Sequence, residues 1–375
     1  MSETLTKNRA GFAGLGLSPR QLDVVRNLGF TTPTPIQKQA VPVAMKGNDV
    51  MGIAQTGTGK TLAFGLPIVE RISDTRKSAL ILVPTRELAL QVEATLRKIA
   101  TGTQLRTVVL IGGMPMEKQS RNLRANPQII IATPGRLMDH MQRRSVRMDS
   151  INVVVLDEAD RMLDMGFLPN IKTIMLQVPE KRQMMLFSAT MPKEIAEISK
   201  RWMRDPVRID IDHAGSTPRL ISQELVVVEK DQKGGILARL LQDHDGPILV
   251  FSRTRHGARK VAKILRNQGH AAAEIHSDRT MSQRRTALEG FKSGTFRVLV
   301  ATDIAARGID VKQISLVINY DLPATPDDYF HRIGRTGRAG QTGKAVTLAT
   351  PDQSADVRAI QKAMKEPLVR SHRYA

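Results

Sequence analysis

Residues Ala54 to Thr61, AQTGTGKT, combine glycine, lysine and threonine at a spacing that suits phosphate binding. A glycine-rich turn between a strand and a helix leaves backbone N–H groups free to hold phosphate oxygens. Lys60 would then reach the β and γ phosphates, and the Thr61 hydroxyl would ligate Mg²⁺. The alternative is a flexible glycine turn that ends in Lys-Thr by coincidence, since Ala54 stands where the strict pattern has glycine.

An acidic run, DEAD, follows the apolar segment VVVL. A strand ending here would bring Asp157 to a Mg²⁺ ion, and Glu158 would orient and deprotonate an attacking water. A solvated acidic helix start is the common alternative. We favour the chemical interpretation because a phosphate loop lies upstream at a separation that suits one α/β domain.

A third segment, HRIGRTGRAG, brings together the cations His331, Arg332, Arg335 and Arg338. On a helix, the three-residue spacing of Arg335 and Arg338 would place them on one face, where planar guanidinium groups stabilise charge on a γ-phosphoryl group. A simple basic phosphate-binding surface is the alternative. Since the loop and carboxylates belong to the first half of the chain, this interpretation predicts ATP between two domains and hydrolysis coupled to their closure.

The elements that must position these residues are short apolar runs, each followed directly by a polar segment. Helical segments separate the runs, which predicts an α/β fold with buried parallel sheets. Ligands of such sheets bind beyond the carboxyl ends of the strands, where these polar segments fall. The pairs are VMGIA and QTGTGKT, ALILV and PTREL, IIIA and TPGR, VVVL and DEAD, MMLF and SAT, ILVF and SRTR, and RVLVA and TDIAARGID.

The alternation relaxes once, in IDIDHAGSTPRLI, which we interpret as a linker between two similar domains. Near the amino terminus, Ser18 and Pro19 indicate a helix start, followed by a helix from Arg20 to Leu28 that ends at Gly29. Gln37 follows two prolines and is either a surface side chain or an amide that reads an adenine edge. The predicted division is an arm with the Gln37 segment at 1–38, a first domain at 39–208, a linker at 209–221 and a second domain at 222–375.

Composition restricts the class of partner. The net charge is +20, with a basic excess in both halves, which favours a polyanion such as nucleic acid over a merely solubilising surface. Aromatic residues make up only 3%, so nucleic acid would be held mainly by its backbone. No cysteine is present, which excludes disulfides and fits a reducing cytoplasm, and no segment predicts a signal peptide or a membrane span.

Together these segments resemble the ordered motif set of the DEAD-box ATP-dependent RNA helicases from Phe12 to Gly340. The matching motifs are GFTTPTPIQ, AQTGTGKT, PTRELA, GG, TPGR, DEAD, SAT, ARGID and HRIGRTGR. The resemblance implies two tandem RecA-like domains, each a parallel sheet flanked by helices, with a nucleotide cleft between them. The short chain is similar to the compact bacterial RhlE-type branch.

The resemblance also implies residue roles. Phe12 would stack on adenine, Gln37 would read its edge and Asp310 would contact the ribose. The implied ATP-binding residues are Phe12, Gln37, Gln55, Thr56, Gly57, Thr58, Gly59, Lys60, Thr61 and Asp310. The implied catalytic residues are Lys60, Asp157, Glu158, Arg335 and Arg338, with Thr61 and Asp157 on Mg²⁺. The implied RNA path is Pro84, Thr85, Arg86, Gly113, Thr133, Gly135, Arg136, Thr254 and Thr302, and Ser188 and Thr190 would couple the two sites.

Two departures concern the second domain: His276-Ser277-Asp278 with Met281 before Arg284, and Arg253 where an uncharged polar residue is commoner. They put its RNA contacts in doubt and leave the ATPase assignment intact. The leading hypothesis is RNA-stimulated ATP hydrolysis that closes the domains, separates short duplexes and remodels RNA–protein complexes. A DNA-directed translocase and an ATP-gated RNA clamp stay open as alternatives. We expect a cytoplasmic monomer whose protein partners belong to ribosome assembly or RNA decay.

Overall fold

The computed structural model describes residues 11–55, 57–72, 77–211, 221–306, 311, 314–337, 342–364 and 366–371. Three predicted site residues, Thr56, Asp310 and Arg338, lie outside the described residues, as does most of the predicted linker. The chain divides into two compact units, Met1–His213 and Ala214–Ala375. Within the described part of the chain, no helix is both long and apolar enough to span a bilayer.

The first unit is built on a seven-stranded, fully parallel sheet in the order β3-β4-β2-β5-β6-β1-β7. Its inner strands are short aliphatic runs whose side chains are buried on both faces, as a parallel sheet covered by helices requires. The strands are β1 Val50–Ile53, β2 Ser78–Leu82, β3 Thr107–Leu110, β4 Ile129–Ala132, β5 Ile151–Asp157, β6 Gln183–Ser188 and β7 Val207–Asp210.

Helices connect these strands, and a 3-10 turn at Phe12–Leu15 precedes the first of them. The predicted start of α1 is confirmed, because the Ser18 side chain accepts a hydrogen bond from the Gln21 N–H and Pro19 is the first helical residue. Gly29 follows the end of this helix with φ +80°. The helices are α1 Pro19–Asn27, α2 Pro35–Met45, α3 Lys60–Ile72, α4 Arg86–Ile99, α5 Met116–Arg124, α6 Pro134–Gln142, α7 Ala159–Asp164, α8 Leu168–Met175 and α9 Lys193–Trp202.

The second unit repeats this plan. Its sheet is also seven-stranded and parallel, in the order β10-β11-β9-β12-β13-β8-β14. Numbered from its own first strand, this is the same order as in the first unit, so the prediction of two similar α/β folds is confirmed. The strands are β8 Ile221–Val227, β9 Ile248–Phe251, β10 Ala272–Ile275, β11 Val298–Ala301, β12 Leu316–Asn319, β13 Gly343–Ala349 and β14 Val369–Arg370.

The helices of the second unit differ from the sequence prediction near the cationic segment. Helix α14 ends at Ile333 with Gly334 as its cap, so Arg335 lies beyond the helix, and the shared helical face expected for Arg335 and Arg338 is wrong. Glycine at positions 334 and 337, the latter with φ +65°, turns the chain out of the helix. The helices are α10 Lys233–Asp243, α11 Arg255–Asn267, α12 Met281–Lys292, α13 Asp303–Ala306, α14 Pro326–Ile333 and α15 Ser354–Met364.

A close contact in the centre of the first unit requires glycine at position 52. Gly52 lies in β1, and a Cβ added there would lie 2.7 Å from two ring carbons of Phe187 and 3.1 Å from Ile36. The Phe187 ring itself is fully buried and packs 5.6 Å, centroid to centroid, from Phe64. Since buried aromatic rings in a close-packed core have little room to move, only glycine fits at this position of β1.

We therefore expect G52A to destabilise the first unit by about 1–3 kcal/mol, because the methyl group must displace the Phe187 ring. Thermal or urea unfolding followed by far-UV circular dichroism measures this loss. The matched control is G135A in α6, where the added methyl meets nothing within 4 Å. It should leave stability unchanged or raise it, and equal losses in the two variants would contradict the packing argument.

Candidate functional site

Five predicted polar segments of the first unit meet at one edge of its sheet. The phosphate loop follows β1, PTREL follows β2, TPGR follows β4, DEAD includes the end of β5, and SAT begins at the end of β6. These strands are neighbours in the order β4-β2-β5-β6-β1, and all are parallel, so their carboxyl ends lie side by side. The predicted segments therefore meet at the carboxyl edge of a parallel sheet, which is where ligands of such sheets bind.

The phosphate loop turns on two glycines in the left-handed region, Gly57 with φ 89° and Gly59 with φ 90°. Helix α3 begins directly after them at Lys60, so the loop presents backbone N–H groups at a helix start. The Lys60 ammonium group is buried and donates a hydrogen bond to the Ala54 carbonyl at 2.9 Å. The Thr58 hydroxyl closes the same turn by donating to the Gln55 carbonyl at 2.8 Å. The loop is therefore held in a curved shape by its own side chains.

Gln37 is buried against this loop. Its Nε2 donates to the Gly59 carbonyl at 3.0 Å, and its Oε1 accepts from the Thr34 N–H at 3.0 Å. The amide thus links the start of α2 to the phosphate loop, a contact that sequence reasoning did not predict. Phe12 is only 5% exposed, so little of the ring face predicted to stack on adenine is accessible in this conformation.

The two predicted catalytic carboxylates have different surroundings. Asp157 is buried at the end of β5, and its Oδ1 accepts from the Glu158 N–H at 3.0 Å. Burial raises the pKa of Asp157 to about 7, while the nearby Lys60 ammonium group acts in the opposite direction. Glu158 has a left-handed backbone, with φ 53°, and its Oε2 accepts from Arg161 Nη1 at 2.5 Å. A non-glycine residue in this region indicates a local constraint of the kind found at functional sites.

Asp160 is the site residue that sequence reasoning missed. Its backbone N–H donates to the Ser188 hydroxyl at 3.2 Å. Its Oδ2 accepts from the N–H of Ala189 at 3.0 Å, and from both the N–H and the hydroxyl of Thr190 at 2.9 and 3.1 Å. Four hydrogen bonds therefore join DEAD to SAT. The acidic run itself was the available signal, because a carboxylate beside a strand-end turn is a strong acceptor for its N–H groups.

The segments predicted to contact RNA in the first unit are mostly helix starts. Thr85 caps α4 by accepting from the Leu88 N–H at 3.2 Å, and Thr133 is the N-cap residue of α6. Arg136 is held by the Met114 carbonyl at 2.9 Å and by Asp139 at 3.2 Å. The Arg86 guanidinium group lies against Gly112, and the next residue, Gly113, has φ 79°. Pro84 precedes the first cap and Gly135 lies inside α6, so both fall on this edge.

In the second unit, Thr254 and Thr302 also follow strands, at the ends of β9 and β11. Thr254 caps α11 by accepting from the Gly257 N–H at 3.0 Å, and the Thr302 N–H donates to the Ile275 carbonyl at 3.3 Å. Arg332 is buried in an ion pair in which Nε and Nη2 donate to Asp303 at 2.5 and 2.7 Å. Arg335 is also buried and donates to the His331 carbonyl at 3.2 Å. Arg332 therefore acts as a structural anchor.

Local contacts explain both departures from the family pattern. The Arg253 N–H donates to Asp321 Oδ2 at 3.0 Å, and its guanidinium group donates to the Leu322 carbonyl, so the side chain is occupied within the unit. Met281 is the first residue of α12, whose start is fixed by a reciprocal capping box between Thr280 and Gln283. The side chain of Gln283 therefore caps the start of α12.

The oxygen donors near the phosphate loop decide whether a metal ion fits there. No cluster of three or more His, Cys, Asp or Glu side chains suited to metal binding occurs among the described residues. Asp157 nevertheless offers a buried carboxylate near enough to Lys60 for its charge to act on it, and Thr61 follows Lys60 in the first turn of α3. The Asp157 carboxylate and the Thr61 hydroxyl are both hard oxygen donors. Mg²⁺ typically takes one or two protein oxygens and completes its shell with water and phosphate, so these residues fit it.

Comparison with protein families identifies two regions of the chain. The DEAD/DEAH box helicase model matches residues 34–198, and the helicase conserved C-terminal domain model matches residues 232–340. The ATP-dependent RNA helicase CshA of Listeria monocytogenes is 44% identical over 359 residues, which are 95% of this chain and 69% of that protein. The DEAD-box ATP-dependent RNA helicase CshA of Bacillus subtilis is 44% identical over 96% of this chain and 73% of its own length.

Solved structures of DEAD-box proteins resemble this chain in fold. Saccharomyces cerevisiae Dbp5 bound to RNA and ADP BeF3 matches with a TM-score of 0.88 and 30% identity over 96% of this chain and 95% of its own. A DEAD box protein from Methanococcus jannaschii is 37% identical over 96% of this chain and 99% of its own, with a TM-score of 0.56. The two sheets are thus tandem RecA-like domains, while the RhlE-type branch stays a prediction. By its motifs, its fold and these relatives, the chain belongs to the DEAD-box ATP-dependent RNA helicases.

Proposed function

We propose that the carboxyl edge of the first sheet is the ATPase centre of this RNA helicase and that the DEAD and SAT segments transmit its state to RNA. The observation that carries this proposal is the set of hydrogen bonds that join Asp160, two residues after Glu158, to the SAT segment: its N–H donates to Ser188, and Ala189 and Thr190 donate to its carboxylate. A change at the nucleotide would thereby reach the SAT loop, which lies on the same carboxyl edge of the sheet as the PTREL and TPGR helix starts.

Phosphate binding is assigned to the loop formed by Gln55, Thr56, Gly57, Thr58 and Gly59. Its N–H groups and the α3 start favour negative charge, and Lys60 exchanges the Ala54 carbonyl for phosphate oxygens. Gln37 joins the loop to α2, and we assign it the adenine edge together with Phe12, with Asp310 at the ribose. Selectivity for ATP would then depend on the residues that also fix the shape of the loop.

Thr61 and Asp157 would hold Mg²⁺. When bound there, Mg²⁺ would supply positive charge that offsets the negative charge developing on the phosphate oxygens. Asp157 is buried within the electrostatic reach of Lys60, and the hydrogen bond from the Glu158 N–H orients its carboxyl group. The Asp157 carboxyl group therefore already has a fixed orientation in the absence of a ligand.

Glu158 is assigned the orientation and deprotonation of the attacking water. Its left-handed backbone turns the chain sharply between β5 and α7, and the ion pair with buried Arg161 restricts its side chain. A held carboxylate loses less conformational freedom when it positions water, which favours in-line attack. Arg335 and Arg338 are the proposed stabilisers of charge on the γ-phosphoryl group.

RNA is assigned to the helix starts and glycine turns at the strand ends. Backbone N–H groups and threonine hydroxyls there suit phosphate contacts that do not depend on sequence. The proposed path comprises Pro84, Thr85, Arg86, Gly113, Thr133, Gly135, Arg136, Thr254 and Thr302. Domain limits at 38, 208 and 221, protein partners in ribosome assembly or RNA decay, a monomeric state and a cytoplasmic location stay predictions.

The proposal is tested by steady-state ATP hydrolysis with the purified chain alone, with single-stranded RNA and with DNA of the same sequence and length. We expect strong stimulation by RNA only, because 2′-hydroxyl contacts distinguish the two polymers. A parallel strand-separation assay with a short RNA duplex should require ATP. Equal stimulation by DNA would favour a DNA translocase, and RNA binding without strand separation would favour a clamp.

We expect E158Q to keep ATP and RNA binding while hydrolysis falls by about 10²–10⁴-fold, since the amide cannot take a proton from water. Single-turnover hydrolysis and equilibrium binding of a labelled nucleotide separate the two effects. The control is E117Q, an exposed glutamate on α5, which should turn over normally. Normal turnover by E158Q would refute the assigned role.

We expect T190V to uncouple RNA strand separation from the ATP site. The substitution removes the hydroxyl that donates to Asp160 at 3.1 Å and keeps the backbone N–H contact. Loss of a hydrogen bond to a charged acceptor is worth about 1.5–3 kcal/mol, so strand separation should fall about tenfold or more while ATP binding persists. T173V on α8, an exposed threonine, is the control. Equal behaviour of the two variants would contradict a coupling role.

A further inference from the structure

A second concave surface lies at the opposite end of the first sheet, where strands begin. We name it the amino-edge groove, with a volume of about 580 Å³ and a lining of Ser78, Leu123, Arg124, Asn126, Pro127, Gln128, Ile130, Ser145, Arg147 and Ser150. Ser78 opens β2, Gln128 and Ile130 mark the start of β4, and Ser150 precedes β5. None of the residues assigned to ATP or RNA above belongs to this groove.

The groove combines hydroxyl groups and cations over an apolar floor. Three serines and two arginines line it, and the floor includes Leu123 and Ile130, which are largely buried. Ser150 donates to the Ser78 hydroxyl at 3.4 Å, so the serines on two adjoining strand starts are within reach of each other. Hydroxyl and guanidinium donors together suit the oxygens of a phosphodiester.

The segments that form the groove are strongly basic. Arg106 donates to the Ala125 carbonyl at 3.2 Å, and its N–H donates to Gln128 at 2.9 Å, so it adjoins the lining. Arg121 lies one turn before Arg124 on α5, Lys77 directly precedes the lining residue Ser78, and Arg143 and Arg144 are the two residues before Ser145. Across 121–130 and 143–150, Asp149 is the one acidic residue. The local field therefore favours an anion.

The two lining arginines differ in their present contacts. Arg147 forms an exposed ion pair with Asp149 at 3.2 Å, with side chains 75% and 71% exposed. Arg124 is exposed at the end of α5, and its guanidinium group makes no hydrogen bond or ion pair with any residue that the structure describes. Exposed ion pairs are weak and exchange readily with an incoming anion, so both guanidinium groups are available to a polyanion.

We infer that the amino-edge groove binds the phosphate backbone of RNA that flanks the segment held at the carboxyl edge. This chain carries a net charge of +20 and belongs to an RNA helicase family, so RNA is the polyanion that it meets. The lining contains no aromatic residue, so the contact uses phosphates and ribose and is independent of sequence. The groove would hold a long RNA near the enzyme between cycles of local strand separation.

The position of the groove predicts that its contribution to RNA affinity depends on RNA length. Strands β2 and β5 contain five and seven residues, so the two edges lie roughly 15–25 Å apart at about 3.3 Å per residue. A short RNA held at the carboxyl edge cannot also reach the groove, whereas a long one can pass around the sheet. The inference rests on RNA binding at the carboxyl edge, and the short RNA tests that binding separately.

The experiment measures affinity for an RNA of about 6 nucleotides, which fills one single-strand site of about 4–16 nucleotides, and for one of about 30 nucleotides, which extends well beyond it. We expect R124Q/R147Q to bind the long RNA about tenfold more weakly at 0.15 M salt, with a salt slope smaller by about 1.4, because two phosphate contacts are lost. Affinity for the short RNA, and ATP hydrolysis stimulated by it, should not change.

Two controls fix the interpretation. R26Q/R208Q removes the same charge from two other exposed, ion-paired arginines of the first unit and should leave both affinities unchanged. D149N removes the carboxylate that competes for Arg147 and should bind the long RNA several-fold more tightly, which misfolding cannot produce. An unchanged long-RNA affinity in R124Q/R147Q, an equal loss in R26Q/R208Q, or no gain in D149N overturns the inference. Failure of the short RNA to stimulate hydrolysis in the unmodified chain would instead refute the proposed function.

Discussion

A parallel sheet covered on both faces leaves polar groups only at the ends of its strands, and the rest of this molecule depends on that constraint. The interiors of β2, β4 and β6 are apolar and buried, so reactive side chains cannot lie within them. Parallel pairing then aligns the carboxyl ends, and each following helix starts there with free N–H groups. Phosphate chemistry at this edge follows from backbone geometry before any side chain is considered.

The two sheets use the same edge for different purposes. In the first unit, buried carboxylates, a buried lysine and threonine caps lie at neighbouring strand ends, and Asp160 joins two of these segments. In the second unit, the corresponding positions hold buried cations. Arg332 binds Asp303 and also lies 5.0 Å from the Phe251 ring, while Lys233 donates to the carbonyls of Tyr320 and Leu348. One topology therefore supports an edge with buried carboxylates in the first unit and an edge with internally paired cations in the second.

Much of the fold could be predicted from sequence because aliphatic runs, glycine turns and capping residues are local signals. The start of α1 at Ser18 and the place of Asp157 at a strand end are examples. The contacts of Asp160 and Gln37 could not be predicted, because they depend on distances between segments far apart in the chain. Arg335 was misplaced because helical spacing was extended through Gly334, where the helix ends. The burial of Phe12 likewise arises from tertiary packing.

The repeated strand order has a consequence for how the chain folds. Two sheets of one topology in a single polypeptide offer each strand a wrong partner of similar character, a hazard during synthesis and refolding. Edge strands are where such mispairing would begin, since they present unpaired backbone groups. The outer strand β7 carries the charged pair Arg208 and Asp210, and the outer strand β14 contains only two residues. The charge on β7 and the shortness of β14 thus limit strand exchange between the two units, so that each unit folds separately.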